Sequence, residues 1–149
     1  DWRLARREVH DGLAAAALAA QRAGAEPRGV RPPLDLLERI QLRSYRLLAQ
    51  LGGVRTWREQ PQSVPAADVD ALLARCLTSI DGALEPRRGP DAASTDTAPI
   101  EALTETVSAH ESAAVLRRRL VDAVDEARAL GADLAAAQAW DAARIADNP

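Results

Sequence analysis

Apolar residues recur every three or four positions along most of the chain, and this spacing predicts helices. The clearest case begins at Pro32 and Pro33, which suit a first helical turn because the amide donors that proline lacks stay unpaired there anyway. At about 100° per residue, the apolar positions that follow fall on one stripe. These positions are Leu34, Leu37, Ile40, Ser44, Leu47, Leu48 and Leu51. We therefore predict a core helix that other helices cover.

The end of this helix depends on Gly52 and Gly53, which follow Leu51 directly. A glycine inside a helix costs about 1 kcal/mol relative to alanine, a cost that packing can offset. The residues beyond the two glycines remain compatible with a helix as far as Pro61. We favour a helix that continues through both glycines, with an end at Gly52 as the alternative.

A second amphipathic segment runs from Trp2 to Ala23 and carries a stripe of mostly small residues. This stripe consists of Trp2, Ala5, Val9, Gly12, Leu13, Ala16, Ala20 and Ala23. Small side chains let two helix backbones approach closely, which gains dispersion contacts. We therefore predict that this stripe faces the rest of the bundle.

Two more helices follow, each with its own stripe. The third helix is marked by Val69, Leu72, Leu73, Cys76, Ile80, Ala83 and Leu84. The fourth is marked by Ala113, Leu116, Leu120, Val124, Ala127, Gly131, Leu134 and Ile145. No strand-like alternation interrupts these patterns. The residues that we expect in one shared core include Leu37, Leu48, Leu73, Leu120 and Val124.

Residues 85–99, EPRRGPDAASTDTAP, are polar, small and rich in proline, which predicts a flexible internal loop. Ile100, Leu103 and Val107 then predict a short helix. The fold class that results is all-α, an antiparallel four-helix bundle with one additional short helix. The length of 149 residues suits a single helical domain, residues 1–149. Because the chain begins at Asp1 without a methionine, we expect either a processed chain or a piece of a longer protein, and we favour the second.

Composition removes several classes of function. The net charge of −3 disfavours a general nucleic-acid binder, since phosphate binding needs a surplus of positive charge. Cys76 is the single cysteine, and we expect it to be a small buried hydrophobic residue. No apolar run approaches the roughly 20 residues that a membrane-spanning helix needs.

The sequence also shows no recognisable pattern of catalytic or metal-binding residues. His10 and His110 are far apart, and neither has a second histidine at the helical spacing of a metal site. We expect both to be solvated surface or helix-end histidines. The sequence therefore predicts no catalytic residue, no cofactor and no metal site, and hence no enzyme.

Two charged groups in the fourth helix have structural interpretations. The run Arg117–Arg119 precedes Asp122, Asp125 and Glu126 by about one to two turns, a spacing that favours ion pairs within the helix. The acidic pair Asp125 and Glu126 is expected to face solvent. We therefore favour a structural role for both groups, with binding of acidic partners or lipid as the alternative for the arginine run.

The tryptophans and the first arginines suggest a surface. In an up-down bundle the fourth helix returns to the end where the first begins, which would make Trp2 and Trp140 neighbours, joined by Trp57 if the second helix continues. Tryptophan and arginine suit a surface placed against lipid headgroups or another protein, although ordinary packing at the end of a bundle is an alternative. The candidate membrane- or partner-facing end consists of Trp2, Arg3, Arg6, Arg7 and Trp140.

Residues Ala5 to Arg55 also carry a resemblance. They combine an alanine-rich helix after a Trp-Arg start, the connection EPR at Glu26–Arg28, and a leucine-rich helix with RSYRLLA at Arg43–Ala49. In these features the chain resembles soluble segments of the fusaric acid resistance-like family, bacterial inner-membrane proteins related to aromatic acid exporters. The rest of the chain agrees with that family only in being helical.

The resemblance implies a helical domain at the cytoplasmic face of the bacterial inner membrane. The parent would export aromatic acids or related compounds, and this domain would serve assembly or regulation. Its implied partner is the membrane portion of its own parent chain, with a homo-oligomer as a further option and no nucleic acid. The alternative is a free-standing bundle that acts as a protein–protein interaction domain or as a sensor or adaptor.

Overall fold

The computed structural model describes residues 2–27, 31–59, 66–85 and 111–146. These residues form four helices and contain no strand: α1 (Trp2–Gly24), α2 (Leu34–Arg58), α3 (Ala66–Leu84) and α4 (Glu111–Ala146). The predicted all-α class is confirmed, and the helices pack in a way compatible with a bundle. The predicted loop from residue 86 onward, the predicted short helix at Ile100–Val107 and His110 lie outside the described residues.

Helix α2 continues through Gly52 and Gly53 to Arg58, as the sequence favoured. The residues beyond the glycines explain why, because Val54 and Trp57 are both buried in the core. Burying large apolar side chains gains about 1.5–3 kcal/mol each, which offsets the helix-propensity cost of two glycines. The continuation therefore follows from packing rather than from local preference.

The core is built where α4 packs against α2 and α3. The stripes predicted for α3 and for most of α4 are confirmed, and Leu120 and Val124 are buried as expected. Leu73 is partly buried at the edge of the core. The core cluster consists of Leu47, Val54, Trp57, Val69, Leu72, Cys76, Ile80, Ala83, Leu116, Leu120, Ala123, Val124, Ala127 and Leu130.

Some predicted core positions are wrong. Leu37 and Leu48 are only half-buried and do not belong to the core cluster. Leu48 instead lines a cavity between α2 and α1, together with Arg6 and His10 of α1. Ile145 is exposed, because the last turn of α4 extends past the described residues that could cover it.

The face that α1 presents also differs from the prediction. Ala5, Val9, Gly12 and Ala16 are exposed, while a neighbouring face is half-buried. A helix made mostly of alanine has similar hydrophobicity around its circumference, so the stripe pattern did not determine which side packs. The half-buried side chains, which include the correctly predicted Leu13, Ala20 and Ala23, are His10, Leu13, Ala17, Ala20 and Ala23.

Of the four described helices, α1 contributes least to the core. It packs chiefly against α2, and none of its described side chains is buried. Gly24 at its end lies close to Leu34 at the start of α2. The core is thus supplied by α2, α3 and α4, with α1 laid along the outside of α2.

Contacts at the helix ends position the candidate site. Arg3 and Arg6, in the first turns of α1, line a cavity with Arg55 near the end of α2. At the same end of α2, Arg58 pairs with Asp70 in the first turns of α3, with 2.9 Å between Nη2 and Oδ1. The side chain of Arg119, early in α4, lies against Gly53. The starts of α1, α3 and α4 therefore gather around the last turns of α2.

Within the described ranges, no helix combines the length and the apolar character that crossing a bilayer requires.

Candidate functional site

An open groove of about 600 Å³ separates the first half of α1 from the last turns of α2. Its described lining includes four arginines and one glutamate, in a chain whose net charge is −3. Cationic side chains gathered along a groove raise the local concentration of anions. The lining residues are Arg3, Arg6, Arg7, His10, Gly52, Arg55, Thr56 and Glu59.

The ion pairs inside this groove are local and exposed. Arg55 Nε lies 2.7 Å from Glu59 Oε1, and Arg7 Nε lies 3.7 Å from Asp11 Oδ2. Both pairs join residues one turn apart on the same helix, a geometry that contributes little to stability and is screened by salt. Among the described residues, no acidic side chain pairs with Arg6. The groove therefore keeps an excess of positive charge.

His10 extends the groove towards the middle of α2. Its ring centroid lies 6.4 Å from that of Tyr45, and the two ring planes are tilted by 41°. An adjoining cavity of about 420 Å³ is lined by both rings and by Arg6 and Leu48. His10 is half-buried on the side of α1 that faces α2, so it is a partly covered surface histidine rather than a fully solvated one.

The structure brings together only part of the predicted membrane- or partner-facing end. Arg3, Arg6 and Arg7 share the groove, and Trp2 opens the same helix at the same end. Trp140 lies elsewhere, because α4 has already reached the first turns of α2 at Asp133, which pairs with Arg39 and Arg43. The expected proximity of Trp2 and Trp140 is therefore corrected.

The physical reason is the direction of α4. An up-down topology assumes that α4 begins where α3 ends, but both helices begin beside the last turns of α2. Residues 85–110 separate α3 from α4 in sequence, and long crossover connections are a known variation of helical bundles. Trp140 is half-buried at the far end, with the Arg144 guanidinium carbon 5.6 Å from its ring centroid.

Half of the groove was missing from the sequence interpretation. Arg55 and Glu59 form its second wall, and they come from α2, more than forty residues after Arg6 and Arg7. Their spacing of four residues beyond the two glycines marks a charged helical face. Arg55 and Glu59 can be assigned to this face only once α2 is known to continue past Gly53.

A second polar cluster joins α2 to α4. Arg43 donates from Nε to Asp133 Oδ2 at 2.8 Å and from Nη1 to Glu126 Oε1 at 3.2 Å. Arg39 adds a hydrogen bond to the other oxygen of Asp133 at 3.4 Å. The hydrogen bond to Asp133 is the main reason why the pKa of Arg43 lies above its ordinary value. The cluster fixes the relative position of the two helices.

This cluster also corrects the predictions for the acids of α4. Glu126 faces α2 rather than solvent, whereas Asp125 is exposed as predicted and pairs with Arg128 at 3.4 Å. These two acids are therefore engaged by arginines other than the Arg117–Arg119 run. The predicted ion pairs between that run and these acids are wrong.

Asp133→Asn is expected to lower the free energy of unfolding by about 1 kcal/mol, because Asp133 accepts hydrogen bonds from two arginines in a half-exposed cluster. Chemical denaturation at low and at high salt measures this loss. The loss should shrink at high salt, where charges are screened. Asp141→Asn is the control, since its ion-pair partner among the described residues is the exposed Arg144 one turn away. Equal losses in the two variants would contradict the role given to this cluster.

Cys76 lies at the bottom of a third cavity, of about 650 Å³ and mostly apolar, between α2 and α3. The cysteine is 4% exposed, and burial raises the pKa of its thiol, an effect that the nearby charge of Arg75 partly opposes. A thiol held in its neutral form is a poor nucleophile. Cys76 therefore acts as the buried hydrophobic residue that the sequence predicted.

The raised pKa of Cys76 predicts a dependence of stability on pH. The thiol ionises at its ordinary pKa, about 8.5, in the unfolded chain but only at higher pH in the folded one. Its contribution to stability is therefore complete below that ordinary pKa and is lost as the pH rises through the folded value. We expect the unfolding midpoint of the wild type to fall relative to Cys76→Ala from about pH 8 to about pH 10. A constant difference between the two proteins would exclude this effect.

In the parts of the chain that the structure describes, no three His, Cys, Asp or Glu side chains lie close enough together to hold a metal ion. Comparisons of the chain with protein-family models, with curated proteins and with solved structures find no match.

Proposed function

We propose that this chain is a helical interaction domain at the cytoplasmic face of a bacterial inner-membrane exporter of aromatic acids or related compounds, where it serves assembly or regulation. The observation that carries the interaction role is the position of α1. This helix lies along α2 without a buried described side chain, and Leu4 and Leu18 on its other side are 58% and 48% exposed. Large apolar side chains on an uncovered face are typical of surfaces that meet a partner.

The resemblance supports the exporter context. It runs from Ala5 to Arg55, and this stretch coincides with nearly all of α1 and α2, the two helices that build the groove. The implied partner is the membrane portion of the parent chain, or a second copy of that parent. Arg3, Arg6 and Arg7 lie at the start of α1 and line the groove beside this surface, and an excess of basic residues there is in keeping with a position next to a cytoplasmic membrane surface. Trp140, at the other end, takes no part.

The same proposal includes the finer arrangement of the helices. We infer a bundle in which α2 runs antiparallel to α1, α3 and α4. The pairs Arg43–Asp133, Arg58–Asp70 and Gly53–Arg119 support the directions of α3 and α4. The approach of Gly24 to Leu34 supports the direction of α1. The short helix at Ile100–Val107 stays part of the proposal.

Site-specific crosslinking in cells tests the docking surface. A photoreactive amino acid replaces Ala15, on the outer side of α1, in the full-length parent protein. Ala136 on α4 is a matched control, because both alanines are exposed and lie inside helices. After irradiation, peptides crosslinked to Ala15 should come from the membrane portion of the parent chain, and Ala136 should give few or none. Equal yields at the two positions, or no crosslink at Ala15, would overturn the proposed surface.

A second function is favoured by the apolar cavity between α2 and α3. Small-molecule sites are usually cavities of about 300–1,000 Å³ with apolar walls and a few polar groups, and this one combines Leu73, Leu77 and Ile80 with Arg58 at its mouth. It supports a free-standing sensor or adaptor that binds an amphipathic ligand or a partner protein.

Cell fractionation distinguishes the exporter domain from the free-standing bundle. The exporter domain should sediment with inner membranes, whereas the free-standing bundle should remain in the supernatant.

A further inference from the structure

The groove between α1 and α2 has cationic side chains on two different helices. Arg6 belongs to α1 and Arg55 to α2, with Arg3 and Arg7 beside them. Like charges held near each other repel, and an anion between them removes that repulsion. The guanidinium group is planar and donates two parallel hydrogen bonds to a phosphate or carboxylate, so arginines on both walls suit a ligand with several anionic oxygens.

We propose that this groove binds a small multivalent anion that carries phosphate groups. Its volume of about 600 Å³ accommodates a ligand with more than one phosphate. The groove is open beside Gly52, since a Cβ atom built there would meet no other heavy atom within 4 Å. The site goes beyond the function proposed above, because it would exist equally in an exporter domain and in a free-standing bundle.

Ligand binding at this place has a structural consequence. A phosphate compound held by Arg6 and Arg55 joins α1 to α2, and α1 has no buried described side chain to hold it otherwise. A ligand that binds only the assembled form stabilises that form in proportion to its occupancy. The anion therefore acts as a clamp that fixes α1 on the core.

Inorganic pyrophosphate is the probe. Calorimetric titration of the 149-residue domain measures its affinity, and hydrogen exchange measures the protection of α1 amides, both at constant ionic strength. We expect saturable binding and slower exchange in α1, with little change in the amides of α3 and α4. Sodium chloride at equal ionic strength gives neither effect. If it reproduces both effects, the groove holds only a diffuse ion atmosphere and the proposal fails.

Matched variants locate the site. Arg6→Gln and Arg55→Gln should each weaken pyrophosphate binding by about tenfold, the effect of losing one charge-assisted hydrogen bond. Arg22→Gln is the control, because Arg22 is exposed on α1 but lies outside the groove. Glu59→Gln should tighten binding, because it removes the acidic side chain of the groove. Circular dichroism confirms that each variant is folded. Equal affinities in all four variants would overturn the proposal.

A vesicle-binding experiment identifies the source of the phosphate. Vesicles of phosphatidylcholine with a phosphoinositide present phosphate groups on a surface, whereas pyrophosphate is free in solution. If pyrophosphate displaces the domain from these vesicles, and Arg6→Gln abolishes both interactions, the groove accepts phosphate from either source. Pyrophosphate binding without vesicle binding restricts the ligand to soluble phosphates. Vesicle binding without pyrophosphate binding overturns the assignment of a small ligand.

Discussion

Leu120→Ala is expected to lower the free energy of unfolding by about 2–5 kcal/mol, the usual range for deleting a buried leucine side chain. Leu120 is 3% exposed and lies in the core cluster that α2, α3 and α4 share. Removing it leaves a cavity between helices that already pack closely, so the neighbouring side chains can fill it only in part. Urea denaturation followed by circular dichroism measures the loss.

Leu42→Ala is the matched control for this substitution. Leu42 is 52% exposed in the middle of α2, so the same chemical change removes little buried surface. Its effect should stay within about 0.5 kcal/mol. Similar losses for Leu42→Ala and Leu120→Ala would mean that the core is not where the structure places it.

The sequence predicted α3 and α4 well because their stripes contrast sharply with what surrounds them. Three arginines separate Leu116 from Leu120, and Asp122 lies between Leu120 and Val124, so one face is clearly apolar. Helix α1 lacks this contrast, since alanines surround Leu13 and Ala17 on most sides. Hydrophobic periodicity therefore revealed that α1 is a helix but not which of its faces packs.

The directions of the helices could not be read in the same way. A stripe shows which face of a helix is buried, but it does not show which end of a neighbouring helix lies beside it. The contact between Arg43 and Asp133 joins residues 90 positions apart, and no local sequence pattern predicts it. For this reason Trp140 was expected beside Trp2, although α4 carries it to the other end.

The candidate groove was predictable only on its α1 side. Arg3, Arg6 and Arg7 are close in sequence and therefore stand out as a cluster. Arg55 reaches the same groove through tertiary packing, which depends on the burial of Val54 and Trp57 beyond the two glycines. When two helices form a site, the sequence shows only the cluster that one helix contributes. Tertiary packing decides which residues of the other helix lie opposite that cluster.

Gly131→Ala is expected to destabilise the protein by about 1–3 kcal/mol, although glycine to alanine inside a helix normally stabilises by about 0.5–1 kcal/mol. Gly131 lies in α4 against the end of α3, and a Cβ atom built there would collide with the carbonyl oxygen of Ala83. A backbone atom cannot rotate away as a side chain does. The collision is relieved only if α3 and α4 move apart, which loosens the packing of Ala83 and Leu130 in the core.

Gly82→Ala and Gly53→Ala complete the test because all three glycines lie inside helices and an added methyl group would meet different surroundings at each. At Gly82 no heavy atom lies within 4 Å of the new Cβ position, so the usual gain in stability should appear. At Gly53 the neighbour is the side chain of Arg119, whose flexible end can shift, so the effect should be close to zero. Thermal melting of the three variants should therefore give a rise for Gly82→Ala, little change for Gly53→Ala and a fall for Gly131→Ala. A rise at Gly131 would show that α3 and α4 are farther apart than the structure has them, since only a wider separation leaves room for the methyl group.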